Sequence, residues 1–409
     1  MEKVDIAIIG GGLNGLIAAL ALAGPNAQRP VTVAIIDKVD PATFASNSHD
    51  SRASALTLAT QNMFDVLGLW EQVKSEAQPM QRIIVTDGKM DGARPSLLCF
   101  ATEDGQKPAA ALIENYHLFA AVLKLIAASP AIKIYAGQAL EDISFGPGLA
   151  QVKLANGISI KANLVIGADG RNSVSRQKAG LTFEGWDYPQ SAITLTVKHS
   201  EPHGGLAEEH FTPNGVFAIL PLTENRSSLV WTEPHPEARR LNALPDDAFL
   251  LELKKRFGDH RGPLSIMGSR HLFPLSLKLA NSTIAPRLAL IGDAAHVVHP
   301  LAGLGLNLGF KDAACLADCI GDGLQVGADI GSLPILQCYE AARRFDTVTT
   351  AFLIDGLNRL FANDAPPIKL IRDWGLQIVD RVPAVKALLM KEAAGQTGEL
   401  PRLMRGLVA

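Results

Sequence analysis

Gly10-Gly11-Gly12-Leu13-Asn14-Gly15 follows an apolar run over residues 4–9 and opens a helical run over residues 13–23. A glycine cluster between a strand and a helix is the setting a dinucleotide-binding turn requires. Gly10 permits the tight turn, Gly12 lets the backbone approach a pyrophosphate, and Gly15 lets the new helix pack on its strand. The phosphates would sit at the helix N-terminus beside Leu13 and Asn14, where unpaired N–H groups and the helix dipole favour negative charge. A second strand over residues 31–36 ends in Asp37, placed after Gly15 about where an acid binds a ribose hydroxyl. That acid favours an unphosphorylated adenosine ribose, but the turn by itself does not separate NAD from FAD. Because residues 4–24 are almost wholly apolar, a signal peptide or a membrane span is the competing reading. Asp5, Asn14, the glycine cluster and the lack of a basic leader stand against both.

Two later segments ask for the same ligand. Gly167-Ala168-Asp169-Gly170 ends a strand over residues 163–166, and Leu290-Ile291-Gly292-Asp293-Ala294-Ala295-His296 ends another beginning at residue 288. With 409 residues, 47% hydrophobic and 19% charged, the chain is long enough for two cores and has the composition of an ordinary globular protein. A net charge of −3 without a long basic run gives no support for nucleic-acid binding and points to a small-molecule partner. Cys99, Cys315, Cys319 and Cys338 lack C-x-x-C spacing and a nearby histidine pair, so no metal site is expected. Reduced thiols in a cytoplasmic protein are the default reading. With no leader and no long uninterrupted apolar stretch, membrane contact at the inner membrane would be peripheral.

The chain begins with a β-α-β unit through residue 37, then a polar loop, Arg52, and a helical run over residues 56–70. Residues 80–112 alternate short apolar runs with Gly, Pro and Asp, and a helix over residues 115–128 follows. Three β-like runs fill residues 133–166, with Asn156-Gly157 as a hairpin turn. Residues 181–275 are mostly strand-like around a helix near residues 246–257, have no nucleotide turn, and suit an antiparallel sheet covering a pocket. The expected architecture is α/β: a Rossmann-like domain over residues 1–78, 106–180 and 276–345, an antiparallel-sheet substrate domain over 79–105 and 181–275, and a helical segment over 346–409. No internal repeats or low-complexity segments interrupt it.

At Asp293 the pattern becomes specific. Residues 287–296, followed by His299-Pro300-Leu301-Ala302-Gly303-Leu304-Gly305-Leu306-Asn307-Leu308-Gly309, resemble the flavin-contacting segment of the FAD-dependent aromatic-ring hydroxylases, the single-component flavoprotein monooxygenases. Within them the chain is most similar to the ubiquinone-biosynthesis hydroxylase branch. The likeness extends to Asp50-Ser51-Arg52-Ala53, Glu114-Asn115, Asp169 through Ser173 with Arg176, Trp186-Asp187-Tyr188, Leu220-Pro221-Leu222, Phe273-Pro274-Leu275 and the stretch from Tyr339 through Arg344 to Phe361. Leu304 departs from the pattern, which usually has glutamine between the two glycines.

The resemblance implies that Asp293 bonds the ribityl or pyrophosphate region and that Pro300, Gly303, Leu304, Gly305, Leu306 and Asn307 wrap the isoalloxazine ring, by backbone alone at position 304. The helix starting there would aim N–H groups at the flavin edge that becomes negative on reduction. It also implies Arg52 and Asn115 near the flavin, and Asp169 and Arg176 on the pyrophosphate side. The implied reaction reduces FAD with NAD(P)H as a transient donor, forms a flavin C4a-hydroperoxide with O2 and passes oxygen to an electron-rich ring. The protein would supply a dry cavity, because water lets the oxygen escape as hydrogen peroxide. No second Gly-x-Gly-x-x-Gly exists for stable nicotinamide binding.

No side chain is singled out as catalytic. His296, His299 and His210 invite such a reading because histidine titrates near neutrality, against packed or hydrogen-bonding roles; His299 and Pro300 remain pocket candidates. By resemblance the substrate is a polyprenylated phenol or quinone precursor. Apolar runs at residues 351–361 and 368–379, interspersed with Arg359, Lys369, Arg372, Arg381 and Lys386, fit a lipid surface or helix packing onto the domain or between subunits. Three readings stay open: the ubiquinone hydroxylase, a flavin hydroxylase of another aromatic metabolite, and a flavin-binding accessory subunit of a quinone-biosynthesis complex. Complex partners and a homo-oligomer stay open with them.

Overall fold

The computed structural model describes residues 2–28, 31–47, 50–87, 96–102, 105–300, 303, 305–361, 390–391 and 393–409. Leu304 and the expected amphipathic run at 368–379 lie outside the described residues.

Alternating and continuous runs of Ile, Val and Ala make the first sheet, whose strands are covered on both faces. In spatial order its main strands are Ile284–Ala285, Leu288–Leu290, Ser159–Gly167, Glu2–Ile9, Val33–Asp37 and Ile132–Ala136. Four of these, from Leu288–Leu290 to Val33–Asp37, pair in parallel, and Ile132–Ala136 joins them in the same sense. The register sets Ile9 opposite both Gly167 and Ile36, and Gly167 opposite Leu290. Each glycine-rich segment therefore leaves the carboxyl end of a neighbouring strand at one edge of the sheet, the place where open α/β sheets bind ligands.

Helix Leu13–Ala23 is buried nearly all round because it lies between this sheet and helix Gly305–Gln325. Leu16, Ile17, Leu20 and Phe310 are at most 1% exposed in that layer, and each such side chain contributes about 1.5–3 kcal/mol by leaving water. The Asn156-Gly157 turn closes a hairpin, with Gly157 at φ 86°.

The second sheet orders its strands as His296–Val297, Leu264–Ala280, Phe183–His199, Arg226–Pro234, Gly215–Leu222, Leu206–Thr212, Arg82–Asp87 and Ser96–Ala101. It is antiparallel except that Leu206–Thr212 pairs parallel with Arg82–Asp87, a departure from the all-antiparallel expectation. One face packs Ile193, Leu195, Phe217, Leu229 and Trp231 against Phe249, Leu253 and Phe257 of helix Asp246–Phe257. Leu264–Ala280 runs past residue 275, and His296–Val297 pairs with it, so the third glycine-rich segment passes from the first sheet to the second.

The helix expected over 56–70 is divided. Leu56 and Thr57 belong to strand Ala53–Thr57, paired with Ala110–Glu114; helix Leu58–Val66 starts at the Thr57 cap, and Gly68 at φ 74° separates it from Trp70–Val73. Four strands rather than three span residues 132–167. Among the described residues no helix is long and apolar enough to cross a membrane.

Candidate cofactor and substrate site

The three segments touch one another at the strand ends. Gly10 has φ 114°, and a β-carbon there would lie 2.3 Å from the Ala168 carbonyl oxygen; at Gly15 it would lie 2.0 Å from the Gly10 oxygen. Both positions exclude a side chain because backbone occupies the space. Gly12 is different, since a β-carbon there meets nothing within 4 Å. The protein itself leaves that space open at the start of helix Leu13–Ala23, as a closely approaching pyrophosphate needs. Leu13 turns its side chain into the core, so only its backbone faces this opening. Asp37 steadies the loop by accepting from Gly11 N at 2.5 Å and Val39 N at 2.8 Å.

Several of the residues expected near the cofactor hold the segments in place. Asn14 packs against Gly292 and Gly309, where β-carbons would come within 2.1 and 2.5 Å of its amide. Asp169 accepts from the Ser173 and Ser175 hydroxyls at 2.6 Å and from Ser175 N at 2.9 Å, which fixes the turn after Gly170. Arg176 is buried; its guanidinium donates to the Ala294 and Arg171 carbonyls at 3.0 and 3.1 Å and stacks 3.5 Å from the Phe183 ring. Asn307 donates to the Ala55 and Gly303 carbonyls and accepts from Thr57 N and the Thr60 hydroxyl, so its amide is fully used. Asn115 accepts from the Ser54 hydroxyl at 2.6 Å. Arg52 pairs with Asp50 and lies 5.8 Å from the Phe44 ring.

Asp293 stands apart from these. Among the described residues no protein group donates a hydrogen bond to its carboxylate, which presents open surface to a cavity. The enclosing walls desolvate it and hold its carboxyl above the ordinary range, with His296 and Arg171 pulling the other way. The neighbouring backbone is fixed from behind: buried Asp312 accepts from Gly292 N at 3.0 Å, meets His296 Nε2 at 2.6 Å and accepts from Arg343 Nε at 2.8 Å. Against the burial that would raise it, His296 and Arg343 keep the Asp312 carboxyl low, and Asp312 and Asp346 hold the Arg343 guanidinium well up against the same burial. Sequence reading missed Asp312 and Arg343. The available signal was an acid on the apolar helix face shared with Leu308 and Cys315.

The cavity has a volume of about 450 Å³. On one side lie Arg171, Asp293, His299, Pro300, Gly303, Gly305 and Leu306; the opposite wall is the free face of the second sheet, with Ile83, Val85, Ala218, Leu220 and Val230. Gly303 has φ 63° and donates to the Pro300 carbonyl, which turns the chain into helix Gly305–Gln325 so that its N-terminus meets the cavity. Glu209 and Thr194 add polar groups to the mainly apolar sheet wall. A second cavity of about 470 Å³ lies along strand Leu264–Ala280, between Trp186, Leu277 and Phe352, and shares no lining residue with the first.

The three histidines separate. His299 lines the cavity edge-on to Tyr188, and burial pushes its imidazole down to about 4. His296 faces Asp312, away from the cavity. His210 bonds the Thr86 hydroxyl at 2.7 Å on the strand face opposite Glu209.

Comparison with known proteins agrees with this geometry. A family model described as an FAD binding domain matches residues 3–345. A ubiquinone hydroxylase of Rhodospirillum rubrum is 41% identical over 410 residues, covering 99% of this chain and 94% of that protein. The 3-demethoxyubiquinol 3-hydroxylase of Escherichia coli is 32% identical, covering 96% of this chain and 99% of that one. The crystal structure of p-nitrophenol 4-monooxygenase from Pseudomonas putida superposes with a TM-score of 0.80 at 20% identity, covering 98% and 100% of the two chains, a likeness of fold.

Proposed function

Because the chain belongs to the FAD-binding-domain family, we propose that it is an FAD-dependent monooxygenase that hydroxylates the aromatic ring of a polyprenylated phenol in ubiquinone biosynthesis. O2 is the co-substrate and NAD(P)H the transient reductant. The named activities of the two relatives matched over nearly their whole length support the substrate class. The observation that carries the reading is the cavity, bounded on one side by Asp293, His299, Pro300, Gly303, Gly305 and Leu306 and on the other by a mainly apolar sheet.

FAD fits the residues present. The N–H groups opening helix Leu13–Ala23 would take the pyrophosphate over Gly12, Asp37 the adenosine ribose, and Asp293 a hydroxyl of the ribityl chain. Asn14, Asp169, Arg176 and Asn307 would act by fixing the backbone around it. Bound FAD supplies the two-electron redox chemistry and the activation of oxygen.

The chain's own contribution is position and dryness. Gly305 and Leu306 bring helix N–H groups to the cavity edge, where developing negative charge is stabilised. Val85, Ala218, Leu220 and Val230 keep water from the ring, and His299 stays neutral at physiological pH, adding no positive charge beside it. Exposed Phe345, Phe352 and Leu353 on helix Leu333–Phe361 support a peripheral contact with the membrane that holds such a lipid. Mass spectrometry of quinones in cells lacking this protein tests the assignment. A prenylated precursor should accumulate; a normal quinone level without one would overturn it.

A further inference from the structure

Three of the four cysteines converge where the two long C-terminal helices pack. Cys315 and Cys319 lie one turn apart on helix Gly305–Gln325 and are buried, while Cys338 on helix Leu333–Phe361 is exposed. The Cys319 and Cys338 sulfurs are 3.1 Å apart, within roughly 1 Å of the covalent S–S length. Neither cysteine is among the residues lining the substrate cavity. Neighbouring Cys315 and burial push the Cys319 thiol up, so it stays protonated, whereas Cys338 meets solvent.

We propose that Cys338 and Cys319 form an oxidative modification site whose substrate is hydrogen peroxide, the two-electron product of oxygen that escapes coupling to hydroxylation. The Cys338 thiolate attacks peroxide and becomes a sulfenic acid, releasing hydroxide that is protonated to water. Cys319 sulfur then attacks the Cys338 sulfur, the sulfenic oxygen leaves as a second water with the Cys319 proton, and the disulfide joins the helices. Two thiols lose one hydrogen each, and one peroxide becomes two waters.

The position gives the bridge a consequence. Cys319 follows Asp312 by two helical turns, and Cys338 precedes Arg343 by five residues. The Asp312–Arg343 pair already joins these two helices and holds Gly292 and His296 at the cofactor segment. A covalent link beside it restrains the same helix pair and raises the temperature at which the bound cofactor is released.

The test treats purified full-length holoprotein with graded hydrogen peroxide, then counts thiols in denaturant and maps unreduced peptides by mass spectrometry. The thiol count should fall from four to two, with the Cys319 and Cys338 peptides linked and the link reversed by dithiothreitol. The oxidised form should release flavin fluorescence at a higher temperature. Cys338→Ser should form no link, and Cys319→Ser should leave a Cys338 sulfenic acid that dimedone traps. Four thiols surviving excess peroxide, Cys338 passing to sulfinic acid without a link, or a link through Cys315 or Cys99 would each overturn the proposal.

Discussion

Replacing Gly12 by alanine separates a ligand's demand on the glycine turn from the fold's own demand. In the protein alone the added β-carbon meets nothing within 4 Å, and Gly12 sits at φ −73°, where alanine is unstrained. Alanine is a poorer N-cap than glycine by roughly 0.5–1 kcal/mol, while its stiffer unfolded chain returns about 0.4–1 kcal/mol. The two nearly cancel, so the melting temperature of apoprotein should move by no more than about 2 °C. A pyrophosphate passing over Gly12 would collide with the methyl group, and such overpacking costs about 1–3 kcal/mol, or roughly 5–150-fold in FAD affinity. Gly15→Ala supplies the contrast. Its β-carbon would lie 2.0 Å from the Gly10 carbonyl oxygen, so it should destabilise the apoprotein by about 3 kcal/mol or more. Fluorescence titration of apoprotein with FAD, beside thermal melts without it, reads both effects. FAD binding by Gly12→Ala as tight as wild type would refute the placement of the pyrophosphate, and an apoprotein as unstable as Gly15→Ala would refute the open space.

Asp293→Ala removes the cavity carboxylate to which no group among the described residues donates, and should lower FAD affinity by about 10–150-fold, the range of about 1.5–3 kcal/mol for a charged hydrogen bond; the flavin absorbance retained on purification checks it. Asp312→Asn leaves Arg343 buried beside a neutral amide and should cost about 3–5 kcal/mol in denaturant unfolding. His299, pushed down to about 4 in the folded protein, takes up its proton first in the unfolded chain, near pH 6.5. Its contribution is therefore complete above about pH 6.5 and is lost as pH falls toward 4, by up to about 3 kcal/mol. Unfolding of His299→Gln should lack that component; a stability difference from wild type that stays constant across the window would contradict it. Phe345→Ser with Phe352→Ser should weaken flotation with anionic liposomes several-fold while leaving the melting temperature within about 2 °C, because both side chains are exposed.

The parts of the fold readable in the sequence were those with local signals. Glycines between an apolar strand and an apolar helix marked the first strand end, and Asp169 and Asp293 after further apolar runs marked the other two. Partners distant in sequence were invisible. Leu56 reads as helix by its neighbours, yet its pairing with Ala111 puts it in a strand. Helix His235–Asn242 went unread because only Ala238 and Leu241 bury a face. In the candidate site, charge and amide groups were easy to find but their bonds were not. Asn307 reads as a residue at the cofactor, and only the structure shows Ala55 and Thr57, about 250 positions away, at its amide. Arg176 likewise reads as part of a pyrophosphate-side motif, and only the structure shows its guanidinium on two carbonyls and an aromatic face. Asp293 kept an open carboxylate because the residues around it turn toward Asp312 instead.

Isotope labelling during turnover follows the transferred oxygen atom itself. Purified protein with FAD, a nicotinamide reductant and a prenylated phenol is allowed to react under 18O2, and the product is weighed. The expected product is a ring hydroxyl carrying one labelled atom from O2, formed only when FAD is present. Oxygen drawn from water, or reductant consumed with peroxide as the sole product across prenylated phenols, would contradict it.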